Sequence, residues 1–348
     1  MAVLARLLWE AVLLIGVVLV IGVTVLDEAG RRALTDGGMG PVGRLCVVGL
    51  LATGLSLSVR VGAPNLAVGS LASVGGAGYG WLVATTQLPM FLALVIVLAA
   101  AVAFGLLMAV AVAALRIPSW GVTLGVAVAV SIIGGGVFTN ELKRVDGPDL
   151  GWWTLLLVVV LALGSVTVGA LLWTNGAAGL AARAWRSADP GPAGGWNVSG
   201  AAVLVGGTVL SSVLAVSAGV MGVLNYQVTP VLSAIGADYL AWGLIPVLIA
   251  GASLRSPRGA VTGIVLASAL VIYAPVMFAV RDAPSWLSST AIVLLALVGL
   301  LVGRGLDAVA ERMTGPAPQT GAPGTIPGIA DTAGAVTEMS VESGRVAL

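Results

Sequence analysis

Few residues in this 348-residue chain could carry out catalytic chemistry. The absence of histidine excludes a Ser-His-Asp triad, a histidine-ligated metal and histidine acid–base catalysis. The single cysteine, Cys46, lies in an apolar run, where we expect a buried and inert thiol. One cysteine can form neither an intrachain disulfide nor a zinc cluster. The sequence therefore predicts no catalytic residue, no metal site and no cofactor.

The charged residues also exclude the usual sources of energy for active transport. A phosphate-binding P-loop needs a lysine in the pattern G-x-x-x-x-G-K-S/T, but the only lysine, Lys143, has no glycine before it. Carriers driven by protons or ions usually keep acidic residues inside their membrane spans, and here only Glu10 and Asp238 come near one. Sites built from backbone carbonyls stay open. We predict that the chain is not an enzyme and has no ATPase site.

The composition is that of a membrane protein. Hydrophobic residues make up 59% of the chain and charged residues 9%, against about 25% charged in ordinary soluble domains. That is too little polar surface for a soluble protein of this size. The net charge of +1 gives no basic surplus, so we expect no binding to nucleic acid.

The predicted fold is an all-α polytopic membrane protein with about ten transmembrane helices. About 20 apolar residues are needed to cross a bilayer. A broken helix is expected near 61–66, where Gly62, Pro64 and Asn65 interrupt the apolar pattern. The predicted spans are 7–26, 42–60, 66–85, 89–115, 119–138, 151–174, 198–221, 237–254, 260–280 and 287–304.

Loop charges set the expected orientation. More arginines fall on the side that holds both termini, and most loop acids fall on the other side, which favours a cytoplasmic N-terminus and C-terminus. Residues 1–304 are predicted to form the membrane domain. Residues 305–348 are Pro/Gly-rich toward their start and then small and polar, so we expect a mostly disordered cytoplasmic tail.

Glycines recur at a spacing that favours close helix packing. The chain has 49 glycines, and several fall into small-xxx-small pairs, which let helix backbones approach each other in lipid. These pairs are Gly76/Gly80, Gly121/Gly125, Gly259/Gly263 and Gly299/Gly303. They predict a compact bundle and do not identify a substrate.

Three segments, in order, resemble those of a known family. Residues 61–72 (VGAPNLAVGSLA), 115–125 (LRIPSWGVTLG) and 249–263 (IAGASLRSPRGAVTG) are similar to motifs of permease subunits from bacterial ABC importers of the ribose or simple-sugar type. The superfamily also includes branched-chain amino acid permeases. The resemblance extends over roughly residues 40–300, with Asn65 where the family has aspartate. Between the second and third motifs, only fragments of the family's coupling loop are present.

The resemblance implies a multi-pass subunit of the bacterial plasma membrane. It would pair with a second permease subunit, two cytoplasmic ABC ATPase subunits and an extracytoplasmic solute-binding protein. Residues 180–188 are predicted to form a short helix, and a short helix in a partner's groove is a common mode of recognition. The predicted ATPase-coupling residues are Leu180, Arg183, Arg186 and Asn197. The alternative is a plain positively charged loop.

Other polar residues are candidates for a translocation path or a cytoplasmic turn. The path candidates are Asn65, Ser70, Gln87, Asn225, Tyr226 and Gln227. For each of them, a structural polar group with its hydrogen bonds satisfied is the favoured interpretation over a contact to substrate. Arg255 and Arg258 are predicted to face the cytoplasm, and tryptophans near span ends, such as Trp9, to form an interfacial belt.

These expectations converge on one function and leave alternatives. The leading one is translocation of a sugar or similar small polar solute by alternating access, driven by partner ATPases. An ABC permease for branched-chain amino acids or nucleosides, a self-contained secondary carrier and a non-transporting membrane scaffold stay open.

Overall fold

A computed structural model gives the fold. It describes residues 2–35, 40–138, 145, 154, 156–161, 163–164, 183–188, 198–227, 236–252 and 262–314, and these form helices and turns without a strand. The main helices are α1 (Ala2–Leu26), α2 (Glu28–Thr35), α3 (Gly40–Arg60), α4 (Val68–Ala84), α5 (Met90–Ala113), α6 (Ser119–Val137), α7 (Val198–Tyr226), α8 (Ala237–Ile249), α9 (Thr262–Val280) and α10 (Ser285–Thr314). Residues 156–161 and 183–188 are also helical.

Seven helices of the described chain are long and apolar enough to cross a membrane. They are Leu7–Leu26, Gly40–Arg60, Met90–Ala113, Ser119–Val137, Val198–Tyr226, Gly263–Val280 and Ser285–Gly305. Each coincides with a predicted span, so the prediction of an all-α polytopic membrane protein is confirmed. The predicted spans 66–85 and 237–254 correspond to shorter helices, α4 with 17 residues and α8 with 13. The predicted span 151–174 lies mostly outside the described residues.

Large apolar side chains on the outer helices face away from the protein. Phe91 on α5, Ile132 on α6 and Trp286 on α10 are 76%, 70% and 64% exposed. Soluble proteins rarely expose apolar patches of such extent, whereas lipid tails solvate them well. By contrast, α3, α4 and much of α7 are buried inside the bundle.

Glycines bring α4 and α7 into backbone contact. A Cβ added at Gly219 on α7 would lie 1.9 Å from the carbonyl oxygen of Ala72, and one at Gly76 would lie 2.8 Å from the carbonyl oxygen of Gly219. Gly299 on α10 packs equally closely on Ile249. At the predicted pair Gly121/Gly125, a Cβ at either position would meet no atom of the described residues within 4 Å. For this pair close packing stays a prediction.

Four helix–helix turns share one sequence pattern. In each, a residue with positive φ is followed two residues later by proline, and the proline precedes a new helix or turn. The pairs are Gly62/Pro64, Gln87/Pro89, Arg116/Pro118 and Asp282/Pro284. The left-handed residue ends one helix, and proline, which lacks an N–H, suits the start of the next. Pro118 is the N-cap residue of α6, at the helix start expected from the sequence.

The chain divides into two compact units. Residues 1–307 contain the helical bundle, and residues 308–348 form the small second unit. In the second unit, residues 308–314 are helical as the last part of α10. The described structure ends at Thr314, so most of the predicted tail, 305–348, lies outside it.

Candidate functional site

The connection between α3 and α4 lies deep in the bundle. Val61 packs against Gly207 of α7, where an added Cβ would lie 2.6 Å from the Val61 Cγ1 atom. Asn65, further along, reaches Ser211 near the middle of α7, a helix of 29 residues. Non-helical backbone at this depth is tolerated only when the protein itself pairs its polar groups. The break expected near 61–66 is confirmed, since α3 ends at Arg60 and α4 begins at Val68.

A Schellman turn closes the end of α3. The N–H of Gly62 donates to the carbonyl oxygen of Val59 at 3.1 Å, and the N–H of Ala63 donates to that of Ser58 at 3.0 Å. The turn needs a left-handed residue, and Gly62 has φ +80°. A side chain at this position would also collide, because an added Cβ would lie 3.0 Å from the Trp185 Cα atom. Glycine is thus favoured here both by conformation and by space.

Asn65 is fully buried and joins three parts of the bundle. Its backbone N–H donates to the Ser58 hydroxyl at 3.0 Å, and its Oδ1 accepts from the N–H of Ala67 at 3.1 Å. Its Nδ2 donates across to α7, 3.2 Å from the Ser211 hydroxyl and 3.4 Å from that of Ser212. The sequence suggests Asn65 as a cap for amides inside the next helix. The observed bond instead goes to Ala67, which is itself the N-cap residue of α4.

The first two of the segments that resemble permease motifs, 61–72 and 115–125, meet at this connection. The hydroxyl of Thr123, on α6, donates to the carbonyl oxygen of Pro64 at 3.1 Å. Pro64 belongs to the segment 61–72 and Thr123 to the segment 115–125. Thr123 is 1% exposed, so this bond gives its buried hydroxyl a partner.

The short helix 183–188 packs against the same connection. The Trp185 Nε1–H donates to the carbonyl oxygen of Arg60 at 2.8 Å. Ala184 and Ala188 are buried in a small second core with Val61 and Leu204. Arg186 is exposed, whereas Arg183 is half-buried and donates to the Ser199 hydroxyl at 3.4 Å. The predicted helix 180–188 is thus observed over 183–188. Leu180 and Asn197 lie outside the described residues.

A second turn in the chain is built in the same way as the first. At the end of α8, the N–H of Gly251, with φ +68°, donates to Leu248, and that of Ala252 donates to Val247, at 2.9 and 3.2 Å. The Nε1–H of Trp9 then donates to the carbonyl oxygen of Ile249 at 3.0 Å. Ile249 stands two residues before its left-handed glycine, as Arg60 does before Gly62.

The remaining path candidates fall into separate places. Ser70 is fully buried in the first turn of α4, beside Gly69, whose added Cβ would lie 2.3 Å from the carbonyl oxygen of Gly236 at the start of α8. Gln87 is exposed and has φ +53°. Ser70 follows Asn65 by five residues, whereas Gln87 lies beyond the other end of α4.

Asn225, Tyr226 and Gln227 form a polar cluster at the end of α7. The Thr154 hydroxyl donates to Asn225 Oδ1 at 3.2 Å, and Arg44 Nε donates to the Tyr226 hydroxyl at 3.0 Å. The N–H of Val145 donates to the Gln227 carbonyl oxygen at 2.9 Å. The bond from Arg44 ties α3 to α7 at the end of α3 away from Arg60, and the other two tie Thr154 and Val145 to the end of α7. The cytoplasmic-turn candidates Arg255 and Arg258 lie outside the described residues.

Sequence reasoning missed the partners that hold Asn65. Ser58, Ser211 and Ser212 are buried at 3% exposure or less, and only the adjacent pair Ser211-Ser212 stands out in an otherwise apolar run. Trp9, which the sequence predicts in an interfacial belt, is half-buried, and its indole N–H donates to Ile249. Within the described residues, no group of three or more His, Cys, Asp or Glu could hold a metal ion.

No family model, no curated protein and no solved structure matches this chain.

Proposed function

We propose that this protein is the membrane-spanning permease subunit of a bacterial ABC importer for a sugar or a similar small polar solute. In this proposal the bundle has ten spans and both termini are cytoplasmic. It pairs with a second permease subunit, a solute-binding protein docks outside, and ATPases dock inside. Alternating access moves the solute, and the energy comes from the ATPases, because the chain has no P-loop lysine.

One observation carries the proposal. The non-helical connection 61–67 lies buried beside the middle of a long apolar helix and is bound by the short helix 183–188, which exposes an arginine. Broken helices near the midplane are typical of transporters, where unwound backbone and helix ends create polar surface inside the membrane. A static membrane scaffold has no need for such a break, which costs helical hydrogen bonds in lipid.

The end of the bundle that carries Arg186 and Arg116 supports the proposed position of the ATPase. Arg186 and Arg116 are exposed, and Ala184 and Val112, two and four residues before them in the chain, share the second core with Val61. Basic residues are retained on the cytoplasmic side of membrane proteins, so this end is assigned to the cytoplasm. A short helix with an exposed arginine can dock in a groove of a soluble partner.

Isolation of the native complex tests the proposal. The full chain, tagged at its C-terminus in its own host, is expected to co-purify with a P-loop ATPase and a second permease, and the complex is expected to hydrolyse ATP in nanodiscs. Genes for these subunits and for a binding protein are expected beside its own. If the purified chain alone moved solute down an ion gradient in liposomes, a secondary carrier would replace the proposal. If the complex showed neither flux nor ATP hydrolysis, a scaffold would replace it.

A further inference from the structure

The helix 183–188 is joined to the buried connection by one directional bond. The Trp185 Nε1–H reaches the carbonyl oxygen of Arg60, the last residue of α3, at 2.8 Å. The Trp185 backbone lies directly over Gly62. The helix also rests on the start of α7 at Gly200, where an added Cβ would lie 2.6 Å from both the Arg183 carbonyl oxygen and the Ser187 hydroxyl oxygen. Its position is thus set at two points, one on α7 and one on the connection.

On the inner side, the connection has little freedom to absorb a displacement. Asn65 follows Arg60 by five residues, and between them Val61 is wedged against Gly207 and Gly62 is held in the Schellman turn. Asn65 is itself bound to Ser58 and, across the bundle, to Ser211. A shift of the Arg60 carbonyl therefore cannot be absorbed locally, because packed interiors change by switching between arrangements and not by gradual deformation.

We propose that Trp185 is a positioning residue: its bond to the Arg60 carbonyl makes the conformation of the connection 61–67, and thus of Asn65, follow the position of helix 183–188. What moves that helix in the cell is the ATPase of the proposed function, and in this respect the inference rests on it. The equivalent bond from Trp9 to Ile249 comes from α1, a long helix of the bundle, and therefore acts as a static brace.

A methyl group added behind helix 183–188 tests whether the position of this helix is coupled to the connection 61–67. Gly200→Ala places a methyl group against the Arg183 carbonyl and displaces helix 183–188 without touching residues 61–67. Trp185→Phe keeps a ring in place but removes the N–H donor. The full chain in nanodiscs is prepared as wild type, as each single variant and as the double variant. Hydrogen exchange of the amides in 61–67 is then followed by mass spectrometry, since exchange reports local opening.

Coupling predicts a non-additive result. Gly200→Ala and Trp185→Phe are each expected to speed exchange in 61–67 about tenfold, the effect of losing roughly one buried hydrogen bond. In the Trp185→Phe background, Gly200→Ala is expected to add less than about twofold, because the link is already gone. A structural role for the ring alone gives additive effects. Additivity, or no response to Gly200→Ala, would overturn the proposal.

Matched variants guard against trivial explanations. Trp9→Phe removes the equivalent bond at the other turn and is expected to speed exchange at 250–252 while leaving 61–67 within about twofold of wild type. If Gly200→Ala does not yield folded protein, Ser187→Ala replaces it in the same cycle, since it removes the bond from Ser187 to the Arg183 carbonyl. A response of 61–67 to Trp9→Phe equal to that of Trp185→Phe would also contradict the assignment.

The cycle is measured on the chain without any ATPase, so its result is separate from that of the proposed function. An additive cycle removes the positioning role and leaves the importer proposal standing. Failure of an ATPase to co-purify removes the importer proposal and leaves the link between helix 183–188 and the connection standing.

Discussion

Asn65 and Ser211 are 146 residues apart in the chain, yet the Asn65 side-chain amide donates to the Ser211 hydroxyl at 3.2 Å. Both residues are fully buried. The bond joins the non-helical connection to the middle of α7, the longest candidate span of the described chain. It explains how a polar break persists inside an apolar bundle: amide and hydroxyl groups satisfy each other where neither water nor lipid can do so.

Replacing Asn65 is expected to destabilise the whole bundle. Asn65→Leu leaves the Ala67 N–H without its acceptor and removes the donor to α7. Each orphaned buried group costs about 1–3 kcal/mol, so we expect the free energy of unfolding to fall by roughly 2–4 kcal/mol. The measurement is thermal unfolding in detergent, followed by tryptophan fluorescence. Ser289→Ala, at an exposed residue of α10, is the control and is expected to stay near wild type. Equal stability of both variants would contradict the role of Asn65.

The contact between α4 and α7 predicts a strong effect of a single methyl group. In Gly219→Ala, the new Cβ would lie 1.9 Å from the Ala72 carbonyl oxygen, so the two helices must separate. Overpacking of this kind costs about 1–3 kcal/mol and sometimes more. Gly125→Ala is the matched control, because its Cβ would meet nothing within 4 Å. Yield of monodisperse protein and its unfolding midpoint are compared. If Gly125→Ala were as damaging as Gly219→Ala, Gly125 would pack against something outside the described residues.

Contacts between residues far apart in the chain could not be predicted from the sequence. Apolar runs locate seven spans, because bilayer thickness sets their length. Gly62, Pro64 and Asn65 locate the break, because each disfavours a continuous helix. The residues that bind this break could not be predicted in the same way. Ser211 and Trp185 lie 146 and 125 residues from the atoms they bind, and their types alone do not indicate those contacts. The close packing of Gly219 likewise depends on which helices become neighbours.

Helix ends were predicted less well where the stop signal is subtle. The span predicted at 237–254 contains the end of α8 at Ile249, because Gly251 takes a left-handed conformation two residues later. Gln87 takes the same conformation without being glycine, three residues after α4 ends at Ala84, where the predicted span 66–85 agrees with the structure. Only the proline two residues on marks this turn in the sequence, and prolines occur in many other settings.

Substitutions at two of the left-handed turn residues, Gly62 and Gln87, are expected to have opposite effects on stability. Gly62→Ala is expected to lower stability by about 1–2 kcal/mol, because an L-residue is strained at φ +80° and its Cβ would press on Trp185. Gln87→Gly relieves the same strain at φ +53° and is expected to be neutral or to stabilise by about 1 kcal/mol. The unfolding midpoints of the two variants, compared with that of the wild type, test both expectations. Destabilisation by Gln87→Gly would show that its side chain makes a contact that outweighs the strain.

Charge reversal on helix 183–188 tests the proposed docking site directly. Arg186 is exposed, and its replacement removes no buried contact, so Arg186→Glu is expected to leave the unfolding midpoint unchanged. If a groove of the ATPase accepts this helix, the reversed charge is expected to reduce co-purified ATPase at least about tenfold. Arg183→Glu is expected to act similarly but to cost some stability, because Arg183 is half-buried and bonds to Ser199. Arg281→Glu, at the exposed turn after α9, is the control. Equal recovery of ATPase with Arg186→Glu and with Arg281→Glu would place the docking site elsewhere.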